Sequence, residues 1–262
     1  MNIIEAFIKF NKKLIIILSG LSGSGKTSIA KLIERDFKLS LINIEDFVIE
    51  DFNKTETLSN GTKIINWDDV ESYDWNKINQ LVNDNKSKGI ILCGPFFPVN
   101  KLKFDADFHI QIKIQKQSLI EKRTEYAKQN IKKFKNLDEN ILLIVNKITY
   151  PLFLKYSSES KIDKYINSKD LTKDQIYDQI ADFLFFKINE YLQNRFDNLN
   201  KVEHSNKATN KTKNDDSSEF NFDSSSTSFN LSNSSSILNL LNESDEKINL
   251  IGSDDNKQIN FI

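Results

Sequence analysis

The sequence predicts an α/β fold, with a parallel β-sheet flanked by helices and a disordered C-terminal tail. Segments typical of buried strands alternate with segments typical of helices, which favours a doubly wound sheet. An apolar run at 14–18 leads through a glycine-rich turn into helix-forming residues at 28–35. From about residue 198, Asn, Ser, Asp and Lys dominate, and such a composition cannot bury enough apolar surface to fold. We therefore expect a domain at 1–197 and a tail at 198–262.

The glycine-rich turn is GLSGSGKT at 20–27, which has the P-loop spacing G-x-x-x-x-G-K-[ST]. Its glycines allow successive backbone N–H groups to converge on one anion, and the following helix adds a partial positive charge. We expect Lys26 to reach the β- and γ-phosphates of ATP, and the Thr27 hydroxyl to bind Mg²⁺. An ordinary turn before a helix is the alternative. The residues expected to bind ATP here are Gly20, Ser22, Gly23, Ser24, Gly25, Lys26, Thr27 and Ser28.

The first half of the chain has four further predicted features. Residues 1–12 form a short amphipathic helix, and residues 39–44 form a second strand. Residues 50–66 read as a loop, with turn chemistry at Asn60-Gly61. Asp74 is expected to cap the helix that follows it.

The second half contains three strands and three helices. Apolar and polar residues alternate at 107–112, which predicts a strand less fully covered than its neighbours. Pro151 should kink its helix or mark a helix start. Thr172 and Gln175 fit a capping box. The strands are expected at 90–93, 107–112 and 164–167, and the helices at about 117–129, 138–156 and 172–196.

Composition excludes several classes of protein. Lys+Arg 36 against Asp+Glu 37 gives no overall basic field, so nucleic acid and anionic membranes are not expected partners. A single cysteine, Cys93, excludes an intrachain disulfide and fits a reducing compartment. Apolar runs are shorter than the ~20 residues of a membrane helix, and the N-terminus lacks signal-peptide features. His109 and His204 show no metal-ligand spacing. We expect a soluble, cytoplasmic protein.

An acidic pair, Glu45-Asp46, follows the second strand. In open α/β sheets, ligands bind outside the carboxyl ends of the strands, so this pair should lie beside the P-loop. A carboxylate there can accept a proton from the hydroxyl that receives the phosphoryl group, or hold Mg²⁺ through water together with Thr27. Either role suits a kinase. The alternative is a solvated strand end or a helix cap.

Five segments, in consistent order over about 13–190, resemble the nicotinamide riboside kinase family within the wider uridine kinase group. The P-loop is common to many families, whereas Trp67-Asp68 and the segment at 150–156 favour the nicotinamide riboside branch. The resemblance implies a P-loop kinase fold for the domain and does not extend to the tail. The segments are GLSGSGKT at 20–27, IEDF at 44–47, NWDDVE at 66–71, ILCG at 91–94 and YPLFLKY at 150–156.

The resemblance implies phosphorylation of a ribonucleoside 5′-hydroxyl by ATP and Mg²⁺. With nicotinamide riboside the product is nicotinamide mononucleotide, a step in NAD biosynthesis. In such kinases an aspartate in the place of Glu45 is the base and a ligand in the metal shell, so Glu45 and Lys26 are the expected catalytic residues. Asp46 and Phe47 would help to position the substrate. Aromatic stacking on Trp67 and ribose hydroxyls on Asp68 would hold the nucleoside.

The charged helix at 117–129 resembles the lid of the family. Lys122 and Arg123 fall where the family carries arginines that neutralise phosphoryl charge, so we expect Lys122 to bind ATP and Arg123 the substrate side. Lysines further along are expected to form a solvated helix face; they are Lys132, Lys133 and Lys135.

Three departures from the family leave alternatives open. Glu45 replaces an aspartate, Cys93 replaces a glutamate, and the lid is poorer in arginine. A thiol carries no charge at neutral pH unless it is activated. The chain would therefore be an active kinase, a kinase of altered substrate choice such as a uridine/cytidine kinase, or a catalytically weak ATP-binding module. Apolar islands in the tail at 237–241 and 248–251 would suit an unknown protein partner.

Overall fold

The structure is a computed structural model that describes residues 3–129 and 140–210, with side chains described up to residue 197. Strands and helices alternate along most of this length, as the sequence predicts. The strands are β1 Ile15–Ser19, β2 Ser40–Asn43, β3 Thr55–Thr57, β4 Lys63–Ile65, β5 Ile90–Gly94, β6 Phe108–Lys113 and β7 Lys164–Asn167. The helices are α1 Ile3–Asn11, α2 Lys26–Phe37, α3 Trp75–Asn85, α4 Lys116–Gln129, α5 Ile141–Ile144, α6 Tyr150–Ser158 and α7 Lys173–Asn210.

Within the described residues, the central sheet has five strands in the order β2-β5-β1-β6-β7, and every neighbouring pair is parallel. Strand β1 lies in the middle, with Leu18 opposite Cys93 of β5 and also opposite Ile110 of β6. Strand β2 forms one edge and pairs with β5 through Asn43 opposite Cys93. The carboxyl ends of β2, β5 and β1 therefore meet at one edge of the sheet, which is where parallel sheets bind ligands.

Both faces of the sheet are covered, so the doubly wound α/β prediction is confirmed. All five residues of β1 are buried. On one face, Ile16 and Leu18 belong to an apolar cluster that includes residues of α1, α2 and α7. On the other face, Ile15 and Ile17 belong to a cluster with Trp75 and other residues of and around α3. Strands buried on both faces read as continuous apolar runs, which is why β1 was recognisable in the sequence.

Two local predictions are wrong. The loop predicted at 50–66 contains the antiparallel hairpin of β3 and β4 around the turn at Gly61. Strand β6 is buried at every position except Lys113, although its apolar/polar alternation predicts a partly open face. The alternation arises because His109 and Gln111 are buried and hydrogen-bonded, and buried polar groups are stable when they have such partners.

The segment around Pro151 is a π-helix, Val145–Thr149, inserted between α5 and α6. Tyr150 N donates to Val145 O, five residues back, and Pro151 follows in the first turn of α6. Proline has no N–H and cannot continue a regular α-helical ladder, so the widened turn precedes it. The predicted helix start at Pro151 is confirmed.

Helix α7 begins with the predicted capping box: Thr172 N donates to Gln175 Oε1 at 2.9 Å, and Gln175 N donates to Thr172 Oγ1 at 3.2 Å. The helix continues to Asn210, so residues 198–210, which composition assigns to the tail, are helical. The rest of the tail, with its apolar islands, lies outside the described residues, as do Lys132, Lys133 and Lys135. In the described part of the chain, no helix combines the length and apolarity needed to cross a membrane.

Candidate active site

The P-loop connects the end of β1 to the start of α2. Gly20 N donates to Gly94 O at 3.1 Å, which fixes the start of the loop against β5. A Cβ atom at Gly20 would lie 2.6 Å from the carbonyl oxygen of Ile112, so only glycine fits there. Gly25, at φ +87°, turns the chain into α2, and a Cβ atom there would meet nothing within 4 Å. The space beside Gly25, at the start of α2, is therefore open.

Two features of this loop fit an anionic ligand. The N-terminus of α2 has no side-chain cap, so N–H groups of its first turn are available to a ligand, and the helix dipole favours negative charge there. Ser24 Oγ is buried without a hydrogen-bond partner, although buried hydroxyls normally have one. A phosphate group in the loop would satisfy both. The chemistry of the loop therefore fits the triphosphate predicted from its spacing.

Lys26 and Glu45 form an ion pair beside the loop. Lys26 Nζ lies 2.9 Å from Glu45 Oε1, and the two side chains are 4% and 13% exposed. Glu45 lies in a 3₁₀ turn, Ile44–Phe47, that directly follows β2, and Asn43 caps this turn by accepting from Glu45 N at 3.4 Å. The second carboxylate oxygen of Glu45 is buried and has no partner. The structure thus places the predicted carboxylate beside the predicted lysine. Only Oε1 of Glu45 contacts Lys26, and Oε2 has no hydrogen-bond partner.

Cys93 lies beside Thr27. Its Sγ is 4.0 Å from Thr27 Oγ1, and burial raises the pKa of the thiol to about 11, although Lys26 acts in the opposite direction. Position 93 therefore holds a neutral group beside Thr27. Among the described residues, no three His, Cys, Asp or Glu side chains are grouped to hold a metal ion. A Mg²⁺ ion here would depend on Thr27, Glu45 and the phosphates, as Mg²⁺ usually does when it binds with a nucleotide.

The two residues that follow Glu45 in the 3₁₀ turn, Asp46 and Phe47, lie in different environments from Glu45. Asp46 is exposed overall; partial desolvation of its carboxyl and the Glu45 charge raise its pKa, and Lys31 opposes this. Phe47 packs at the edge of the apolar cluster under α3, with Lys77 Nζ 5.4 Å from its ring centroid. Glu45 is therefore the member of this turn that reaches Lys26.

Asp68 belongs to a second polar group, formed with α4 and the π-helix. Its Oδ2 accepts from Thr149 Oγ1 at 2.5 Å, and its Oδ1 lies 3.5 Å from Arg123 Nη2. Arg123 Nη1 donates to Thr149 Oγ1 at 3.0 Å. Trp67 packs against Phe52 with ring centroids 5.8 Å apart. The structure therefore joins two predicted substrate residues, Asp68 and Arg123, through a threonine that the sequence analysis did not single out.

Tyr73, which the sequence analysis did not single out, lies within electrostatic reach of both Glu45 and Asp68. It is buried, and burial raises the pKa of its hydroxyl well above the usual range, with the charges of Glu45 and Asp68 acting in the same direction. The chain reaches this position because Val48, just after the 3₁₀ turn, bridges to Tyr73. No pattern in the sequence distinguished this tyrosine from an ordinary core residue.

Helix α4 contacts the P-loop directly. Lys122 Nζ donates to Gly23 O at 2.8 Å, and its aliphatic carbons lie 3.2 Å from where a Cβ of Gly23 would be. Of the two flanking serines expected to bind ATP, Ser22 is partly buried and Ser28 is exposed. The P-loop is thus contacted by Lys122 at Gly23 and carries the Lys26–Glu45 pair at the start of α2.

Among known proteins, this chain is similar to several solved structures. No protein-family model matches this chain, and no curated protein matches it. Among solved structures, shikimate kinase from Bacteroides thetaiotaomicron covers 65% of this chain and 98% of its own length, at 18% identity and a TM-score of 0.41. The tRNA isopentenylpyrophosphate transferase from Bacillus halodurans covers 70% of this chain and 99% of its own, at 9% identity and a TM-score of 0.44. The YorR protein from Bacillus subtilis, in complex with phosphorylated GDP, covers 66% and 96%, at 12% identity and a TM-score of 0.38.

Similarities at this level identify neither an activity nor a substrate for this chain. The α/β fold stands on the chain's own parallel sheet, with its P-loop at the carboxyl end of β1.

Proposed function

We propose that this protein is an ATP-dependent kinase that phosphorylates the 5′-hydroxyl of a ribonucleoside, with nicotinamide riboside as the preferred acceptor. The observation that carries the proposal is the position of Glu45, whose Oε1 lies 2.9 Å from the P-loop Lys26 Nζ while its Oε2 is unpartnered. A carboxylate with a free oxygen beside the phosphate-binding lysine is placed for a hydroxyl acceptor. The choice of nicotinamide riboside rests on the resemblance at Trp67-Asp68 and 150–156.

The proposed reaction uses these groups in turn. Lys26 exchanges its bond to Glu45 for the β- and γ-phosphates of ATP. Glu45 then accepts the proton of the acceptor hydroxyl as its oxygen forms a bond to the γ-phosphorus and the bond from that phosphorus to the bridging oxygen breaks. The products are ADP and the nucleoside monophosphate. When bound through Thr27 Oγ1 and, by way of water, Glu45, Mg²⁺ would neutralise charge on the phosphates.

The acceptor would lie between the two polar groups. Asp68, 24% exposed at its side chain, can accept from ribose hydroxyls, and the ring of Trp67 can stack on a nicotinamide ring, favourably where that ring is cationic. Lys122, already on the P-loop at Gly23, would close over the phosphates, and Arg123 would face the acceptor side.

Two alternatives remain, and structural observations favour the second. A uridine/cytidine kinase would use the same Lys26 and Glu45 and differ only in the pocket for the base. A catalytically weak ATP-binding module is favoured by Cys93, whose neutral thiol occupies the position beside Thr27, and by the engagement of Lys26 with Glu45.

The test is phosphoryl transfer from ATP and Mg²⁺ to nicotinamide riboside, uridine and cytidine, measured as nucleoside monophosphate by mass spectrometry. Lys26→Ala and Glu45→Gln are the active-site variants, and Glu50→Gln, a change at an exposed glutamate, is the matched control. The proposal is supported if the unaltered protein and Glu50→Gln form nicotinamide mononucleotide and the two active-site variants do not. Preference for uridine or cytidine favours the first alternative, and ATP binding without transfer to any nucleoside favours the second.

A further inference from the structure

The Thr149 hydroxyl both donates and accepts a hydrogen bond. It donates to Asp68 Oδ2 at 2.5 Å and accepts from Arg123 Nη1 at 3.0 Å. The direct approach of Arg123 Nη2 to Asp68 Oδ1 is longer, at 3.5 Å. Thr149 therefore provides the short contacts that link the carboxylate to the guanidinium.

Thr149 is more deeply buried than Asp68 and Arg123, which shows which of the three side chains face solvent. Thr149 is 1% exposed, whereas the side chains of Asp68 and Arg123 are 24% and 23% exposed. The hydroxyl lies behind the two charged groups, and the groups themselves remain open to a ligand. Thr149 is also the last residue of the π-helix, a local distortion that is frequent at functional sites.

We propose that Thr149 is a positioning residue that orients Asp68 and Arg123 toward the ribose hydroxyls of the acceptor. This inference rests on the proposed function. Because Thr149 occupies Oδ2 of Asp68, the acceptor would hydrogen-bond to Oδ1, which also lies 3.5 Å from Arg123 Nη2. The pair then recognises adjacent donor and acceptor groups on a sugar, and Thr149 determines how well a ribose is distinguished from a deoxyribose.

The experiment compares unaltered protein with Thr149→Val and Thr149→Ser, using nicotinamide riboside and its 2′-deoxy and 3′-deoxy analogues. Valine keeps the branched shape and removes the hydroxyl, and serine keeps the hydroxyl. We expect Thr149→Val to raise the KM for nicotinamide riboside about tenfold, as loss of a hydrogen bond to a charged group does. The KM for ATP should change little, and the preference for ribose over at least one deoxy analogue should shrink. Thr149→Ser should restore most of that preference.

A purely structural role predicts a different pattern. In that case Thr149→Val would lower kcat/KM equally for ribose and both deoxy analogues, or would raise the KM for ATP as much as that for the nucleoside, and either result overturns the proposal.

Thermal unfolding of Thr149→Val, Asp68→Asn and the double variant separates this inference from the proposed function. Non-additive shifts in the unfolding temperature show the Thr149–Asp68 bond even if no nucleoside is phosphorylated, in which case the proposed function fails alone. Additive shifts overturn the inference.

Discussion

Lys26 Nζ and Glu45 Oε1 lie 2.9 Å apart, so the lysine of the P-loop is paired with the carboxylate that we propose as the base. Both side chains are largely shielded from water, and ion pairs in such surroundings are screened little by salt. In the proposed reaction, ATP would compete with Glu45 for Lys26, and this competition would release the carboxylate toward the acceptor.

Glu45→Gln should separate binding from catalysis. Removing the negative charge frees Lys26, so we expect metal-free ATP to bind several-fold more tightly, while phosphoryl transfer falls ~100-fold or more, as loss of a general base does. Isothermal titration with ATP, without and with Mg²⁺, measures the first effect, and turnover measures the second. Glu50→Gln is the control for charge alone. Weaker metal-free binding by Glu45→Gln would contradict the competition.

Cys93 should resist alkylation in the folded protein. With a pKa of about 11, the thiol is ionised in about one molecule per thousand at pH 8, and the thiolate is the reactive form. We expect labelling by iodoacetamide to be hundreds of times slower than in denatured protein, and to accelerate about tenfold per pH unit below the pKa for as long as the fold survives. Mass spectrometry of the labelled protein gives the rates. Rapid labelling at neutral pH would show that the thiol is neither buried nor neutral.

His109 should make the stability of the fold depend on pH. Its Nδ1 donates to Lys161 O at 3.0 Å, so its Nε2 accepts from Ser19 Oγ at 2.8 Å, and burial lowers the pKa of the ring from 6.5 to about 4. Between these two values the unfolded chain binds a proton that the folded chain does not, so stability falls as the pH drops from about 6.5 to about 4. The loss from this group is ~3 kcal/mol.

Urea unfolding at a series of pH values measures this loss, with His109→Gln as the comparison. The glutamine variant lacks the titrating ring, so its stability should fall less steeply over the same interval. Equal slopes for the two proteins would mean that the ring titrates normally in the folded state.

Gly94→Ala should disturb Glu45 from a distance. A Cβ atom at Gly94 would overlap Ile44, with Cδ1 only 2.5 Å away, and Ile44 directly precedes Glu45. We expect a loss of ~1–3 kcal/mol in stability from overpacking and a larger fall in transfer than in ATP binding. Adding Ile44→Ala should recover part of the transfer by making room. If the loss of transfer in the double variant equals the sum of the losses in the two single variants, expressed as free energies, the contact does not control Glu45.

The sequence predicted the parts of the molecule that depend on local chemistry. The P-loop is recognisable because glycines, Lys26 and Thr27 have fixed spacing, and the caps at Asp74 and Thr172 follow from side chains that bond nearby N–H groups. The sequence did not predict contacts between segments that are distant along the chain. Nothing local indicates that Thr149 would bond Asp68, since the two are 81 residues apart. Buried His109 and Gln111 gave the same alternation as a half-exposed strand, because periodicity does not distinguish satisfied polar groups from solvated ones.

The π-helix at Val145–Thr149 makes the chain sensitive to length at this point. A π turn contains about one residue more than the α-helical turn it replaces, so deletion of one residue between α5 and α6 could restore a regular helix. Each residue of an α-helix turns the chain by about 100°, and such a deletion would rotate one flanking helix against the other and carry the residue at the Thr149 position away from Asp68. Among related chains, we therefore expect insertions and deletions in this segment to be accompanied by changes at positions 68 and 123. Substitutions in this segment that keep its length should not be accompanied by such changes.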